Sequence, residues 1–212
     1  MKRLSNDAHE TVRPILARIY GGGRGGVFAT KDFLDIASHD SVRQALARLA
    51  KGGTIRRLMR GIYEYPRLSA LLNAPASPDP DAIARAIARA HGWTILPSGD
   101  TALNLLGLST QVPAEWQYFS DGPSKTHKWG GGTLVFRHRA NKETTALSPD
   151  TALLTQALKK LGKDRVGPAE LARIRARLDA GKLKRAAREA RYVTSWVYEV
   201  IRELAAEDSP RA

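Results

Sequence analysis

Apolar positions recur with the period of an α-helix between residues 41 and 51. They fall at i, i+3, i+4 and i+7, and are Val42, Ala45, Leu46 and Leu49. This spacing places them on one face of a helix, which predicts an amphipathic helix with a buried stripe. Ser38 or Asp40 can cap its start, because a short oxygen-bearing side chain accepts from the free N–H groups of the first turn. Gly52 and Gly53 are expected to end it.

The flanking segments predict two further elements. Residues 30–37 form a second amphipathic segment, with Thr30 as an N-cap and with Phe33, Ile36 and Ala37 expected to pack on the 41–51 helix. Residues 54–58 and 62–65 are short β-prone runs separated by a glycine-containing turn, which predicts a hairpin. We therefore predict a helix-turn-helix followed by a hairpin wing.

The polar face of the 41–51 helix carries cations and an amide, and no carboxylate is expected on it. Arginine and glutamine can form paired hydrogen bonds with guanine and adenine edges in the major groove, which favours DNA recognition. Base contacts are predicted for Arg43, Gln44 and Arg48. Backbone or minor-groove contacts are predicted for Ser41, Lys51, Thr30, Lys31, Arg56, Arg57 and Arg60. The alternative is a small α+β domain whose arginines are merely solvated.

The remaining pattern predicts an α+β, mostly helical protein with two domains. Residues 1–67 hold the winged helix-turn-helix, with an additional helix over 6–20 and a glycine-rich connector at 21–26. Residues 68–80 are rich in proline and predict a linker. Residues 81–212 predict a C-terminal α/β domain with a small sheet and a helical end, whose last helix runs long, through Ala186 to Leu204.

Composition adds a strong charge argument. The 212 residues carry a net charge of +13, and such a charge favours a polyanionic partner, with nucleic acid ahead of a membrane surface. Residues 1–67 hold 13 Lys/Arg and 6 Asp/Glu. The absence of cysteine excludes disulfides and thiolate metal sites and fits a cytoplasmic protein. No segment has the length and apolarity of a membrane span.

A second basic segment lies late in the chain. Residues 173–191 hold 8 Lys/Arg and 2 Asp/Glu. Neighbouring like charges repel, so a cluster this poor in acids favours contact with a polyanion or an acidic partner over a solvated helix face. The candidate surface consists of Arg173, Arg177, Lys184, Arg185, Arg188 and Arg191.

Candidate catalytic groups in the C-terminal domain are weak. Gly122–Thr126 lacks the spacing of a phosphate-binding loop, and His127 and His138 have no carboxylate or cysteine at ligand spacing. We expect no enzymatic activity, no metal and no cofactor. The polar residues of this domain are expected to be loop and cap residues with a partner-binding role: Ser98, Asp100, Asn104, Gln111 and Asp121.

Several strings resemble a known family. The N-terminal ones are FLDIAS at 33–38, VRQALARL at 42–49, GTI at 53–55 and RGIYEYP at 60–66. They resemble the winged helix-turn-helix of the abortive-infection AbiE-type antitoxins of type IV toxin–antitoxin systems. LPSG at 96–99, NLLGLSTQVP at 104–113 and DGPS at 121–124 are similar to the second domain of a bacterial branch of those proteins.

The resemblance implies an antitoxin that binds inverted repeats in its own promoter and represses it. It also implies that the protein opposes a nucleotidyltransferase-type toxin without a stable complex. We expect a monomer or weak dimer that binds DNA cooperatively. Three alternatives remain: a stand-alone regulator without a toxin, an RNA-binding protein that uses residues 173–191, and an enzyme with a cryptic nucleotide site.

Overall fold

The computed structural model describes residues 3–69, 73–139 and 147–206, with residues 3–10 described by their backbone alone. These residues form a mixed α and β protein that is mostly helical, which confirms the predicted class at that level. The chain divides into two compact units. The first contains residues 1–93 and 127–133, and the second contains residues 94–126 and 134–212.

The first unit combines helices with small antiparallel sheets. Its elements are α1 (Arg3–Gly21), β1 (Val27–Ala29), a 3₁₀ helix (Thr30–Phe33), α2 (His39–Lys51), β2 (Arg56–Met59), β3 (Ile62–Glu64), β4 (Leu68–Ser69), β5 (Ala74–Pro75) and α3 (Pro80–His91). β1, β3 and β2 pair antiparallel in that order, so β3 is the central strand. β4 and β5 form a separate two-stranded pair inside the segment predicted as a linker.

One core joins α1, the 3₁₀ helix, α2 and the β1-β3-β2 sheet. Ile15 and Ile19 of α1, Phe33, and Val42 and Leu46 of α2 are all fully buried in it. Burial of this apolar surface is the main term that holds the helices on the sheet. The predicted packing of Phe33, Ile36 and Ala37 against α2 is confirmed.

The segment before α2 differs from the predicted helix over 30–37. It is a 3₁₀ helix at Thr30–Phe33 followed by turns, with the Leu34 N–H donating to the Lys31 oxygen at 3.3 Å. Asp32 explains the tight start, because its Oδ2 accepts from the Ala29 N–H at 2.9 Å at the end of β1. Ser38 then caps α2.

α3 belongs to the first unit, which differs from the predicted boundary at 68–80. Asp79 caps it, and Ile83 and Ile87 are buried. Arg89 donates to the Val27 oxygen of β1 at 3.0 Å. The helix therefore covers the sheet edge that β1 would otherwise expose.

The second unit places helices beside the remaining sheet. Apart from residues 127–133, which belong to the first unit, its elements are β6 (Ile95–Pro97), α4 (Gly99–Leu105), β7 (Trp116–Ser120), β8 (Lys125–Trp129), β9 (Gly132–His138), α5 (Pro149–Leu161), α6 (Pro168–Arg177), α7 (Ala180–Glu189) and α8 (Ser195–Ala206). The strand order is β6-β7-β9-β8, and β7 and β9 are parallel. The predicted long final helix is wrong, since a 3₁₀ turn at Ala190–Tyr192 separates α7 from α8. No helix in the described ranges is both long enough and apolar enough to span a membrane.

Candidate nucleic-acid interface

α2 has a buried face and an exposed polar face. Ser38 is its N-cap, because the Ser38 Oγ accepts from the Ser41 N–H at 3.3 Å. Gly53, at a φ of +75°, lies just beyond its end. The polar residues predicted to face DNA are all exposed: Ser41, Arg43, Gln44, Arg48 and Lys51. The buried stripe thus fixes the helix while its other side stays open to a partner.

A carboxylate lies at the start of this face, contrary to the predicted carboxylate-free surface. Asp40 Oδ1 is 3.5 Å from Arg43 Nη2, and both side chains are well exposed. Further along, Arg48 Nη2 lies 3.5 Å from Gln44 Oε1. These weak surface contacts leave the guanidinium groups free to exchange partners, because exposed ion pairs contribute little free energy.

The hairpin of β2 and β3 has its turn at Arg60 and Gly61. Gly61 has a φ of +76°, a left-handed conformation that favours glycine. Its carbonyl oxygen accepts from the Thr30 N–H at 2.9 Å, which ties the hairpin turn to the segment before α2. Arg57 and Arg60 are exposed on this hairpin, and Lys31 is exposed next to Thr30 in sequence.

Two residues predicted to contact DNA have internal roles instead. Thr30 is buried, with 8% of its surface exposed, and faces the Gly61 carbonyl. Arg56 donates from Nε to the buried carboxylate of Glu64 at 2.8 Å, and from Nη2 to the Ala76 oxygen at 2.8 Å. Arg56 therefore neutralises a buried charge, and the DNA contacts expected of these two residues stay predictions.

The glycine-rich connector also uses its arginine internally. Arg24 donates to the Pro66 oxygen at 3.0 Å, and its guanidinium carbon lies 4.8 Å from the centre of the Tyr65 ring. These contacts hold the connector against the chain that follows β3.

Four charged residues that the sequence did not single out position the segment before α2. Arg18 of α1 donates to both carboxylate oxygens of Asp35 at 2.6 Å. Hydrogen bonding to Arg18 lowers the pKa of Asp35, and the same hydrogen bond raises the pKa of Arg18. Arg89 Nη2 lies 3.0 Å from Asp32 Oδ2. Only long-range geometry reveals these pairs, since the partners are far apart in sequence.

The second basic surface comprises residues of α6, α7 and the turn that follows. All six predicted residues are exposed: Arg173, Arg177, Lys184, Arg185, Arg188 and Arg191. Arg173 is 3.9 Å from Glu170, a long pairing distance. Arg188 and Arg191 line an open groove between α7 and α8, together with Arg202, Glu199 and Glu203. Two carboxylates in this groove moderate its positive charge.

The polar residues of the second unit take part in local contacts. Asn104 Nδ2 donates to the Gln111 oxygen at 3.1 Å, and Asp100 is 3.3 Å from Lys160. Asp121 Oδ1 accepts from the Thr94 N–H at 2.9 Å. Ser98 is buried. Among the described residues, no group of three or more His, Asp or Glu is arranged to hold a metal ion.

Comparison with known proteins gives a distant structural match and a family match. Among solved structures, the chain is similar to the RV2827C protein from Mycobacterium tuberculosis, with 16% sequence identity and a TM-score of 0.40. That match covers 93% of this chain and 75% of the other. No curated protein matches the chain. Residues 14–186 match a family of unknown function (DUF6088), and the chain belongs to this family.

Proposed function

We propose that this protein binds double-stranded DNA with sequence specificity through a winged helix-turn-helix in its first unit. The observation that carries the proposal is the two-sided character of α2. Val42 and Leu46 are fully buried, while Arg43, Gln44 and Arg48 are exposed on the opposite face. A helix fixed in this way can enter a major groove and present donors to base edges.

The arrangement around α2 supports the same proposal. In the three-stranded sheet of order β1-β3-β2, the hairpin pairs with β1, which directly precedes the 3₁₀ helix before α2. Arg57 and Arg60 on the hairpin, together with Lys31, are exposed cations suited to phosphate oxygens. The net charge of +13 favours association with a polyanion such as DNA, whatever its nucleotide sequence. Ser41 and Lys51 at the two ends of α2 complete the proposed backbone contacts.

Binding to the DNA upstream of the protein's own gene tests this proposal. Arg43→Ala and Arg48→Ala should each weaken binding to the cognate site by about 1–3 kcal/mol and relax base preference at one position. Arg57→Ala should weaken binding to all DNA sequences alike and reduce the dependence of the affinity on salt concentration. Lys159→Ala, an exposed lysine of α5, is the matched control. Equal affinity of all four variants and the wild type would reject the proposed interface.

We further propose that the protein is a cytoplasmic antitoxin that represses its own promoter. This step depends on the resemblance to AbiE-type antitoxins described above. It predicts an inverted-repeat operator, cooperative binding by a monomer or weak dimer, and protection of bacterial cells from a nucleotidyltransferase-type toxin. Co-expression with the product of a neighbouring nucleotidyltransferase gene tests it. If growth arrest continues in the presence of this protein, the antitoxin role is rejected and the alternative of a stand-alone regulator is left.

RNA binding through α7 is the second candidate function. Its supporting observation is the exposure of Lys184, Arg185 and Arg188 along one short helix. This hypothesis predicts that structured RNA competes more strongly than duplex DNA. Replacing these three residues by alanine should then abolish RNA binding, whereas Arg43→Ala should leave it unchanged. A competition assay with both nucleic acids separates the two functions.

A further inference from the structure

The hairpin of β8 and β9 contributes a short basic tip to the first unit. Residues 127–133 belong to that unit, although the rest of the hairpin does not. Burial alternates along β8, with His127 and Trp129 half-buried and Lys128 exposed. In a strand, successive side chains point to opposite faces. Lys128 therefore lies on the solvent side of the strand, opposite the face that packs.

The tip is shaped by Trp129 and three glycines. A Cβ atom at Gly131 would lie 2.8 Å from Trp129 Nε1, and one at Gly132 would lie 2.9 Å from the far edge of the indole ring. The indole thus covers both glycines at a distance that excludes side chains there. Gly130 is exposed and has open space around the position of its Cβ. The backbone of the tip is therefore both held in place and accessible.

A groove of about 280 Å³ separates this tip from the β2 strand. Its walls are Arg56, Arg57, Leu58, Pro75, Ser77, Pro78, Trp129, Gly130 and Gly131. None of these described lining residues is a carboxylate. Arg57 is exposed at the groove, and Lys128 precedes its tryptophan wall. Arg57 brings positive charge to the β2 side of the groove. Lys128 lies at the same tip but on the opposite, solvent-facing side of β8.

We propose that the 128–131 tip is a second DNA-contacting loop beside the hairpin of β2 and β3. Lys128 binds a backbone phosphate, and the glycines let the main chain of the tip approach the sugar-phosphate surface closely. The second loop lengthens the bound DNA site. Because it contacts the backbone and no base, it adds affinity for every DNA sequence. This inference rests on the proposed DNA binding through α2.

Directed cleavage of DNA tests the tip in the full-length protein. The chain contains no cysteine, so Lys128→Cys, Arg57→Cys and Lys159→Cys each create one thiol for an iron–EDTA cleavage reagent. The probe is a labelled duplex from upstream of the protein's own gene. We expect backbone cleavage from position 128 within a few base pairs of the cleavage from position 57. No cleavage is expected from position 159.

The salt dependence of DNA affinity tests the same loop independently, with an alanine substitution in place of a cysteine that carries a reagent. Lys128→Ala should reduce the slope of log K against log salt by about one phosphate contact, without altering base preference. Lys159→Ala should leave the slope unchanged. Cleavage from position 57 without cleavage from 128, or an unchanged slope for Lys128→Ala, overturns the second loop and leaves the α2 interface standing. A wild-type protein that binds no duplex DNA overturns both.

Discussion

Arg18 and Asp35 form a two-point ion pair, with Nη1 on Oδ1 and Nη2 on Oδ2, each at 2.6 Å. Arg18 also donates to the backbone oxygen of Asp32 at 2.6 Å. The pair joins α1 to the turn that leads into α2. Since α2 carries the proposed base contacts, the orientation of the interface depends on a contact between two residues that touch no base.

The Arg18–Asp35 pair gives the first unit a defined acid sensitivity. Hydrogen bonding to Arg18 lowers the pKa of Asp35 below its ordinary 3.8. The stabilisation is therefore fully present above pH 3.8 and is lost as the pH falls through the lower folded-state pKa. Urea unfolding at a series of pH values should show this loss in the wild type. Asp35→Asn should remove that part of the pH dependence, whereas Arg13→Ala, an exposed arginine of the same helix, should retain it.

Arg56 and Arg57 are neighbours on β2, but only the loss of the Arg56 side chain is expected to destabilise the fold. Arg56→Ala leaves the Glu64 carboxylate, 2% exposed, without its cation. Loss of one partner of a buried pair is strongly destabilising, and the partial exposure of Arg56 reduces the expected cost to about 2–3 kcal/mol. Arg57→Ala should change the unfolding free energy by less than about 0.5 kcal/mol. Chemical denaturation measures both, and equal stability of the two variants would contradict the internal role of Arg56.

Asp40 is expected to weaken DNA binding. Its carboxylate lies 3.5 Å from the Arg43 guanidinium at the start of α2, where it competes with phosphate and repels it. Asp40→Asn should tighten binding by about 1 kcal/mol, or about fivefold, at low salt. The gain should shrink as salt rises, because exposed charges are screened. Asp164→Asn, at an exposed site of the second unit, should have no effect on affinity.

Glu189 links α7 to the start of α5 in the second unit. Its carboxylate accepts from the Ser148 N–H at 2.8 Å and from Thr151 Oγ1 at 2.7 Å. Burial alone would raise the pKa of Glu189, but the hydrogen bonds from Thr151 and Ser148 outweigh it and lower the pKa. Glu189→Gln should cost about 1–2 kcal/mol and lower the melting temperature by about 2–8 °C near neutral pH.

The lowered pKa of Glu189 sets the direction in which its contribution to stability changes with pH. The stabilisation by its carboxylate is present above the ordinary value of 4.5 and is lost as the pH falls through the folded-state pKa. The melting temperatures of wild type and Glu189→Gln should therefore converge in acid. Glu115→Gln, at an exposed position, serves as the comparison. A constant difference across this range would contradict the role of the charged form.

Local signals in the sequence predicted α2 and the hairpin well. The apolar spacing of Val42 and Leu46, the Ser38 cap and the glycines after the helix act within a few residues of one another. The turn at Gly61 is equally local, since it needs one residue that tolerates a positive φ. These features depend on residues that are close together in the sequence, so the sequence alone can indicate them.

The internal roles of Arg56 and Thr30 were missed because their partners come from other segments. Glu64 reaches Arg56 across the hairpin, and Ala76 adds a carbonyl from beyond β4. The assignment of α3 was missed for the same reason, since Arg89 binds atoms of β1 and the 3₁₀ helix. The Lys128 tip is also a product of packing between distant segments, and nothing in the sequence of residues 128–131 indicates where the tip lies.

The parallel pairing of β7 with β9 constrains how the protein is made. β8 is synthesised between them, yet β9 lies between β7 and β8 in the sheet. A nascent chain that has not yet reached Gly132 therefore presents β7, paired with β6 on one side alone, as an open strand edge. Such edges recruit other chains, so slow translation before residue 132 should favour aggregation of the newborn protein.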